Sequence, residues 1–433
     1  MKELNNIASV VENELKACPA DKYHFTVTET ETREFTAENG VFSLYRTLYD
    51  YALSITTFIE DRHGSVSSND LSDESIKKSV SEAVAASQAA QPDPAWDIAP
   101  FAGKETFIHG PVEPDTEKFF SRLQEVLDSV AAEYPKVQLM NLIGKHIKAD
   151  IIYKNSNGTE FKEKAGYYYV VLEFAGNDGV NTTGLDYCGV LLNDLDSPFI
   201  ECGSVRTHLD NAVAQLSKTE IPQKFIGTVI FTPDCLAEFL SDIIGNYLSD
   251  GVLLDGTSKW TGKLGEKVAH DDFSLSIRPL DPQIACGQRF TSSGFKAEDL
   301  SLIENGILQS YRLSLYAANT TGNAPAKNTD SAVFVAPGTS SFADMVKNCS
   351  RGLIVGGFSG GEPGANGEFS GVAKNSYYVE NGTIVGAVSE TMINGTLDGI
   401  INNIVAISSE TVCDGTCVLP YLASDGIVVS VKE

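Results

Sequence analysis

The stretch FTVTETETREFTAENGVFSLYRTLYDYALSITTFI, residues 25–59, decides the fold class of this chain. Its β-branched and aromatic residues favour strands, and Asn39 and Gly40 at its centre suit the two-residue turn of a hairpin. Residues 137–174 have the same character around a second Asn-Gly pair. The sequence therefore predicts two sets of antiparallel strands joined by tight turns.

Helical periodicity flanks both sets of strands. Residues 3–17 place apolar side chains on one helical face, and a second helix follows the first strands, with Ser72 or Asp70 as its cap. A third helix is predicted from Asp115, with Phe120 on its apolar face. The order of helix, strands and helix thus occurs twice, which is consistent with an internal duplication of one module.

The chain of 433 residues is longer than one hydrophobic core usually supports, so several domains are expected. Residues 91–103 carry three prolines and no periodicity, which is typical of a linker. We predict an α+β fold with a first helix-plus-antiparallel-sheet module at residues 1–95 and a second at residues 104–220. A larger, strand-rich C-terminal domain is predicted at residues 221–433.

The C-terminal domain begins with the strand FIGTVIF and a well-marked helix. Thr232 provides a capping hydroxyl, and Pro233 occupies the first helical position, where its missing N–H costs nothing. Two Glu-Asn-Gly segments, at residues 304–306 and 380–382, predict further hairpin turns. The apolar face of the predicted helix consists of Leu236, Phe239, Leu240, Ile243, Ile244, Tyr247 and Leu248.

Composition excludes several classes of function. Hydrophobic residues make up 42% and charged residues 21%, which is typical of a globular chain, and the net charge of -26 is distributed along the sequence. Such a charge repels phosphate backbones, so direct nucleic-acid binding is not expected. No run approaches the roughly 20 apolar residues of a membrane span, and the eight cysteines are scattered, so we expect a cytoplasmic protein with reduced thiols.

Several segments resemble one known family in the same order along the chain. They are DRHGSVSSNDLSDESIKKSVSEAV at residues 61–84, LIENGILQSY at 302–311, RGLIVGGFSGG at 351–361 and YYVENGTIVGAV at 377–388. The family is TldD/PmbA, the TldD/E metalloproteases, also called modulator of DNA gyrase. The resemblance implies paired subunits of a cytosolic peptidase, of which one carries zinc and the other, the PmbA or TldE type, does not.

The resemblance also implies where zinc would bind in the zinc-bearing type, which has an H-E-x-x-x-H motif and a C-terminal cysteine. This sequence has Ser241, Asp242 and Asn246 at the motif positions, and Cys417 could match the cysteine. Hydroxyl and amide groups are poor zinc ligands. Positions five apart also need a widened helical turn, which Gly245 would permit. We therefore expect no catalytic residues and no metal here; the alternative for Cys417 is an ordinary, partly buried thiol.

A second candidate site is the glycine-rich run at residues 356–371. It has seven glycines in sixteen residues, but it lacks the Lys-Ser/Thr that follows a phosphate-binding loop. One interpretation is a mobile hairpin loop. The other, implied by the resemblance, is a loop that lines a cleft, formed by Gly356, Gly357, Gly360 and Gly361.

Other site chemistry has little support in the sequence. Cys413 and Cys417 are only half of a metal or redox motif, and no Ser, His and Asp arrangement typical of a serine hydrolase stands out. The sole suggestive histidine cluster is His270 with the two aspartates after it. The other histidines are isolated from one another: His24, His63, His109, His146 and His208.

Three hypotheses for function follow. The first is the non-zinc subunit of a cytosolic peptidase that binds unfolded peptides in a dimer with an H-E-x-x-x-H relative or with itself. The second is an active metallopeptidase with an atypical ligand set that includes Cys417. The third is a non-enzymatic interaction protein that modulates DNA gyrase, without direct contact to nucleic acid or membrane.

Overall fold

A computed structural model describes residues 4–389 and 391–431. The fold is α+β with largely antiparallel sheets, as predicted. The N-terminal strands are β1 (Lys22–Glu38), β2 (Val41–Ile59), β3 (Arg62–Ser68), β4 (Lys104–His109), β5 (Val137–Asn155), β6 (Glu160–Gly176) and β7 (Asp186–Leu192). The N-terminal helices are α1 (Leu4–Ala17), α2 (Asp73–Ala89), α3 (Thr116–Glu133) and α4 (Val205–Ala214).

The predicted hairpin is confirmed as one long β1–β2 ribbon. The strands pair from Lys22 opposite Phe58 to Glu38 opposite Val41. Asn39 and Gly40 between them both have positive φ, 49° and 80°, as the tight turn requires.

The two N-terminal modules share one sheet. β1 pairs antiparallel with β5 from His24 opposite Asn155 to Glu38 opposite Asn141, and the strand order is β3-β2-β1-β5-β6-β4, with β7 also on β6. The predicted linker at residues 91–103 therefore connects two halves of a continuous sheet. A helix, three antiparallel strands and a helix still occur twice, as α1–β1–β2–β3–α2 and as α3–β5–β6–β7–α4.

The four helices cover one face of this sheet. Phe25, ten residues before Phe35 on β1, packs with α1 and α2, while Phe35 packs with α3 and α4. Residues separated by an even number share a face of a strand, so both pairs of helices lie on the same side. Ser72 caps α2. On α3 the buried residue is Phe119, at 1% exposure, whereas Phe120 is 39% exposed; the sequence interpretation of Phe120 was wrong by one position.

The C-terminal half forms a second, larger sheet. Its main strand order is β12-β11-β10-β13-β21-β9-β14-β17-β18-β8, while β15, β16 and β19 connect back to β21, and β20 pairs with β21. Since β8 pairs with β18, this sheet begins slightly before the predicted boundary at residue 221. The strands are β8 (Lys218–Thr219), β9 (Phe225–Phe231), β10 (Leu275–Ile277), β11 (Leu300–Glu304), β12 (Ile307–Leu308), β13 (Val333–Val335), β14 (Arg351–Val355), β15 (Gly357–Gly360), β16 (Glu368–Lys374), β17 (Tyr377–Glu380), β18 (Thr383–Val388), β19 (Thr391–Thr396), β20 (Ile404–Cys413) and β21 (Val418–Ser430).

One helix, α5, is central to the C-terminal core. Its predicted apolar face is buried throughout, within one large cluster that includes Phe231 and Leu422 of the sheet. Each such side chain contributes roughly 1.5–3 kcal/mol on burial. The C-terminal helices are α5 (Pro233–Tyr247), α6 (Asp250–Leu254), α7 (Leu315–Thr321), α8 (Phe342–Asn348) and α9 (Leu397–Asn402).

The two halves of the molecule contact each other through aromatic side chains. Tyr153 and Phe161 of the N-terminal sheet form a cluster with Phe290. Trp96 stacks on Tyr316, with ring centroids 3.9 Å apart. None of the helices in the described residues is long and apolar enough to cross a membrane.

Candidate functional site

The start of α5 is fixed by its local sequence. Thr232 accepts a hydrogen bond from the backbone N–H of Cys235, and Pro233 follows as the first helical residue, as predicted. The helix buries one face in the core, and its other face forms a wall between two cavities.

The Cys417 cavity has a volume of about 360 Å³. It lies against α5 and the turn between β20 and β21, and its lining includes Ser241, Gly245, Arg312 and Cys417. The structure thus brings together two of the four positions that were predicted to replace zinc ligands, Ser241 and Cys417.

Asp242 and Asn246 do not line this cavity. The Asn246 side-chain amide donates a 3.1 Å hydrogen bond to the backbone oxygen of Asp242, one turn earlier. Burial raises the pKa of Asp242, and the nearby charge of Glu362 adds to this rise. Residues 233–247 form an uninterrupted α-helix, so positions 241 and 246 point roughly 140° apart.

The residues at these positions do not fit a zinc ion. A cysteine binds zinc as a thiolate, but burial holds the pKa of Cys417 far above its usual range, and the charge of Asp414 adds to this rise. The thiol is 3.6 Å from the Asp414 carboxylate. Across residues 4–389 and 391–431, no group of three or more His, Cys, Asp or Glu side chains is placed to hold a metal ion.

The junction cavity, of about 650 Å³, lies between the N-terminal sheet and the C-terminal domain. Its walls come from β7, α4, the start of α5 and β15. Gly356 and Gly357 of the predicted cleft loop line it, whereas Gly360 and Gly361 are not part of its lining. The glycine-rich run as a whole forms the β15–β16 hairpin.

A charged histidine crosses this junction. His208 of α4 is 13% exposed; its Nδ1 is 3.1 Å from Asp186 Oδ2 and its Nε2 is 3.6 Å from Asp234 Oδ2. Burial lowers the pKa of His208, but hydrogen bonds and charges from the two carboxylates outweigh burial and raise it to about 9. Burial likewise raises the pKa of Asp234, but His208 outweighs it and lowers the pKa. The imidazolium therefore joins β7 and α4 to the start of α5.

Two strand edges face the junction cavity, and they differ. On β15 the backbone N–H of Phe358 donates a 3.1 Å hydrogen bond to Glu238, which covers that edge. On β7 the N–H of Leu191 points away from β6 and donates to the backbone oxygen of Asp414 at 2.7 Å. Alternate residues of a strand present their backbone groups to the same side, so Gly189 and Tyr187 present theirs to this outer edge too. The N–H of Tyr187 already donates a 2.9 Å hydrogen bond to the carboxylate of Asp186.

The two cavities meet at one residue, Asp414, which lines both. Its carboxylate accepts hydrogen bonds from the backbone N–H groups of Thr416 and Cys417, which fixes the turn between β20 and β21. Asp234 and Glu238 of α5 face one cavity, and Ser241 faces the other. The exposed face of α5 is thus continuous from one cavity to the other.

Sequence reasoning missed the Asp186–His208–Asp234 cluster. The sequence predicts only that His208 is an isolated histidine. The three residues come from different elements, 22 and 26 residues apart along the chain. No local motif connects them, so the packing of α4 against α5 was needed to reveal the cluster. The expected cluster at His270 is only a surface turn, in which the N–H of Asp272 donates to the His270 ring.

Comparison with known proteins supports the same architecture. The "PmbA/TldA metallopeptidase C-terminal domain" family matches residues 224–431, and "PmbA/TldA metallopeptidase domain 1" matches residues 26–87. The Metalloprotease PmbA homolog of Haemophilus influenzae is 26% identical over 384 residues, which cover 83% of this chain and 81% of that protein. Metalloprotease PmbA of Escherichia coli O157:H7 is 25% identical over 396 residues, with the same coverage.

Solved structures share the fold over the whole chain. TldE from Thermococcus kodakarensis superposes with a TM-score of 0.84 at 19% identity, covering 99% of this chain and all of that one. A Bacteroides thetaiotaomicron protein described as a modulator of DNA gyrase gives a TM-score of 0.84 at 18% identity, with both chains fully covered. From the two matched domains together with these relatives, the chain belongs to the PmbA/TldD metallopeptidase family.

Proposed function

We propose that this chain is the non-zinc subunit of a peptidase, which binds unfolded peptides along α5 while an H-E-x-x-x-H relative supplies the zinc. The observation that carries the proposal is that α5 keeps a cavity on each side of its exposed face, although its zinc-ligand positions have lost the required chemistry. A cleft without a metal centre favours binding over catalysis.

The outer edge of β7 is the surface that suits an extended peptide. A peptide that adds to a strand edge gains backbone hydrogen bonds whatever its sequence. Gly189 offers such groups beside the junction cavity and presents no side chain that would block the approach, whereas the N–H of Tyr187 already donates to the Asp186 carboxylate. Leu185 and Tyr187 are 63% and 71% exposed, so they can receive apolar side chains of the peptide.

Strand addition sets a requirement on the substrate. The peptide backbone must be extended and not already paired, which a folded protein rarely offers and an unfolded segment does. Sequence preference would be broad, since the main contacts are to the backbone. The substrate class is therefore unfolded peptides.

The two other hypotheses have less support. An active metallopeptidase with an atypical ligand set needs further ligands grouped with Cys417, and within residues 4–389 and 391–431 no three His, Cys, Asp or Glu side chains are grouped to hold a metal ion. An interaction protein that acts on DNA gyrase rests on the description of structural relatives and on no feature of the two cavities.

The peptide test compares two variants of Gly189. Proline removes the outward N–H, which an edge strand tolerates, while alanine keeps it and also adds a side chain. With fluorescein-labelled, proline-free decapeptides, we expect Gly189→Pro to bind at least about tenfold more weakly than Gly189→Ala, since one backbone hydrogen bond and its neighbours are lost. Equal affinities, measured by fluorescence anisotropy, would exclude the β7 edge as the binding surface.

The subunit test uses co-expression with an H-E-x-x-x-H relative from the same genome. The proposal expects a stable complex whose peptidase activity needs both chains and whose zinc is lost when the motif histidines of the relative are replaced. A relative that is equally active without this chain, and that forms no complex with it, would contradict the proposed role.

A further inference from the structure

The Cys417 cavity contains a half-buried cation that has no acidic partner. Arg312 lines this cavity. Its Nη2 donates hydrogen bonds to the backbone oxygens of Thr329, at 2.5 Å, and of Asp330, at 3.0 Å. Its Nε is buried without a hydrogen-bond partner. Within residues 4–389 and 391–431 no carboxylate forms an ion pair with Arg312, and Nη1 has no protein acceptor.

The acidic side chains nearest to Arg312 are bound to backbone groups instead. Both carboxylate oxygens of Asp330 accept backbone N–H groups, and Asp250 accepts the N–H of Ser314 at 2.8 Å. Burial lowers the pKa of Arg312, and the charges of Asp330 and Asp250 oppose this change without reversing it. A guanidinium stays charged in a protein. Arg312 is therefore a poorly solvated cation with a free donor, which a bound anion would stabilise.

The remaining walls of the cavity suit a small apolar group. A volume of about 360 Å³ is at the lower end of the usual range for small-molecule pockets. The hydroxyl-bearing Ser241 lines the cavity as well, and it can donate a second hydrogen bond to an anion. The apolar lining residues are Ala237, Ile244, Ile277 and Val333.

The charge of the cavity limits the kind of anion that it can hold. Asp414 lies at the border with the junction cavity, and its carboxylate accepts the N–H groups of Thr416 and Cys417. A doubly charged phosphate would be repelled by Asp414 and Asp330, whereas a singly charged carboxylate on an apolar group is repelled less. An ammonium group on the same ligand would be attracted to Asp414.

We propose that the Cys417 cavity binds the carboxylate of an apolar amino-acid residue, with Arg312 as the cation and Ser241 as a second donor. The side chain of the ligand packs against Ile244 and Ile277. Two sources share this chemistry, the C-terminal residue of a peptide and a free amino acid. In the free amino acid the ammonium group lies towards Asp414.

The inference gives a different role to a position that the resemblance assigns to zinc binding. Ser241 stands where the zinc-bearing type has a histidine. A hydroxyl is a poor zinc ligand, but it is a good hydrogen-bond donor to a carboxylate. The same face of α5 would then hold the end of a ligand and not a metal ion.

This inference does not depend on peptide binding at β7. Leu185, Tyr187 and Gly189 line the junction cavity and are not part of the lining of the Cys417 cavity. The Gly189 variants test the backbone contacts of an extended peptide, whereas the carboxylate is tested with ligands of one residue. The two proposals can therefore fail separately.

The experiment is isothermal titration calorimetry of the full chain with three probes, N-acetyl-L-leucine, N-acetyl-L-leucinamide and L-leucine. We expect N-acetyl-L-leucine to bind with a Kd of about 1 mM or tighter. The amide should bind at least about tenfold more weakly, because it lacks the charge that pairs with Arg312. Tighter binding of L-leucine than of N-acetyl-L-leucine would identify a free amino acid as the ligand, and the reverse order would identify a peptide C-terminus.

Two matched variants test whether Arg312 recognises the carboxylate. In Arg312→Gln the side-chain amide can still donate to a backbone oxygen, but the charge is gone, so the tenfold preference for the acid over the amide should disappear. Arg289 is also a half-buried arginine that donates to a backbone oxygen, that of Pro279 at 2.7 Å, and it does not line the cavity. Arg289→Gln should therefore keep the preference.

The outcomes separate a binding role from a structural one. Urea unfolding midpoints report whether each variant is folded. Equal affinities of the wild type for the acid and the amide would overturn the inference, even if Arg312→Gln does not fold. A folded Arg312→Gln variant that keeps the preference would overturn it too. Ser241→Ala should weaken binding of the acid by about threefold to tenfold and leave binding of the amide nearly unchanged.

Discussion

The two cavities beside α5 show opposite outcomes of the same physical effect. Burial disfavours the charged form of any titratable group. In the junction cavity, two carboxylates outweigh burial, and His208 is held as an imidazolium with a pKa of about 9. In the Cys417 cavity the nearest charge is Asp414, which has the sign that a thiolate would have, so burial and charge act together and the thiol keeps its proton.

The strongly interacting charged groups of this molecule lie in the junction cavity and not at the positions of the family's zinc site. Family resemblance directs attention to positions 241, 242, 246 and 417, of which Ser241 and Asn246 carry groups that are poor zinc ligands. The strongly coupled charges lie one cavity away, at the contact between the N-terminal sheet and α5. Substitutions at that contact should change the free energy of unfolding more than substitutions in the Cys417 cavity do.

The largest effect is expected from His208→Ala. Removing the imidazolium leaves the carboxylates of Asp186 and Asp234 facing each other without a counter-charge, at a cost of about 2–3 kcal/mol in the free energy of unfolding. Urea denaturation measures the difference. His270→Ala, which removes a half-exposed histidine from a surface turn, is the matched control and should stay within roughly 0.5 kcal/mol of the wild type. Equal losses from the two substitutions would mean that the junction cluster contributes nothing specific.

The next effect is a pH dependence of the same cluster. The folded-state pKa of His208 is raised above its unfolded value of about 6.5, so its stabilisation is fully present below pH 6.5 and is lost as pH rises through about 9. The pKa of Asp234 is lowered, so its contribution is present above its unfolded pKa and disappears in acid.

Unfolding free energies of the wild type and His208→Ala between pH 6 and 10 check this prediction. The difference between the two proteins should shrink from about 2–3 kcal/mol at pH 6 towards a small residual at pH 10. A difference that stays constant over this range would show that His208 acts through packing and not through its charge.

The smallest effect is expected from Cys417→Ser. The hydroxyl can donate to Asp414 as the thiol does, so the free energy of unfolding should change by no more than about 1 kcal/mol. Peptidase activity of a complex with a zinc-bearing relative should also be unchanged. A loss of activity without a loss of stability would favour the atypical ligand set over the non-zinc role.

Local elements were largely predictable because they depend on neighbouring residues. The Asn39–Gly40 turn, the Thr232 cap and the apolar face of α5 follow from propensity and periodicity, and the structure confirms each of them. The prediction that Phe120 lies on the buried face of α3 was wrong because two adjacent phenylalanines fit a helical pattern almost equally well. Only the position of α3 on the sheet decides that Phe119 is inside.

Pairing between distant strands was not predictable in the same way. Two similar modules were read from the sequence, but nothing local indicates that β1 and β5 pair and merge them into one sheet. The part of β2 that no described strand pairs on its outer side, Val41–Asp50, is equally invisible in the sequence, because it exists only where β3 ends beside β2.

The sequence by itself determined the α+β class, the hairpin turns and the helix starts, and its resemblance to the family predicts that Ser241, Asp242 and Asn246 stand at the H-E-x-x-x-H positions. Only the tertiary structure decided that Asp242 and Asn246 point away from Cys417, and that Asp186, His208 and Asp234 meet. The reason is that turns and caps are satisfied within a few residues, whereas the charge state of a buried side chain depends on which distant groups the packing of sheets and helices brings beside it.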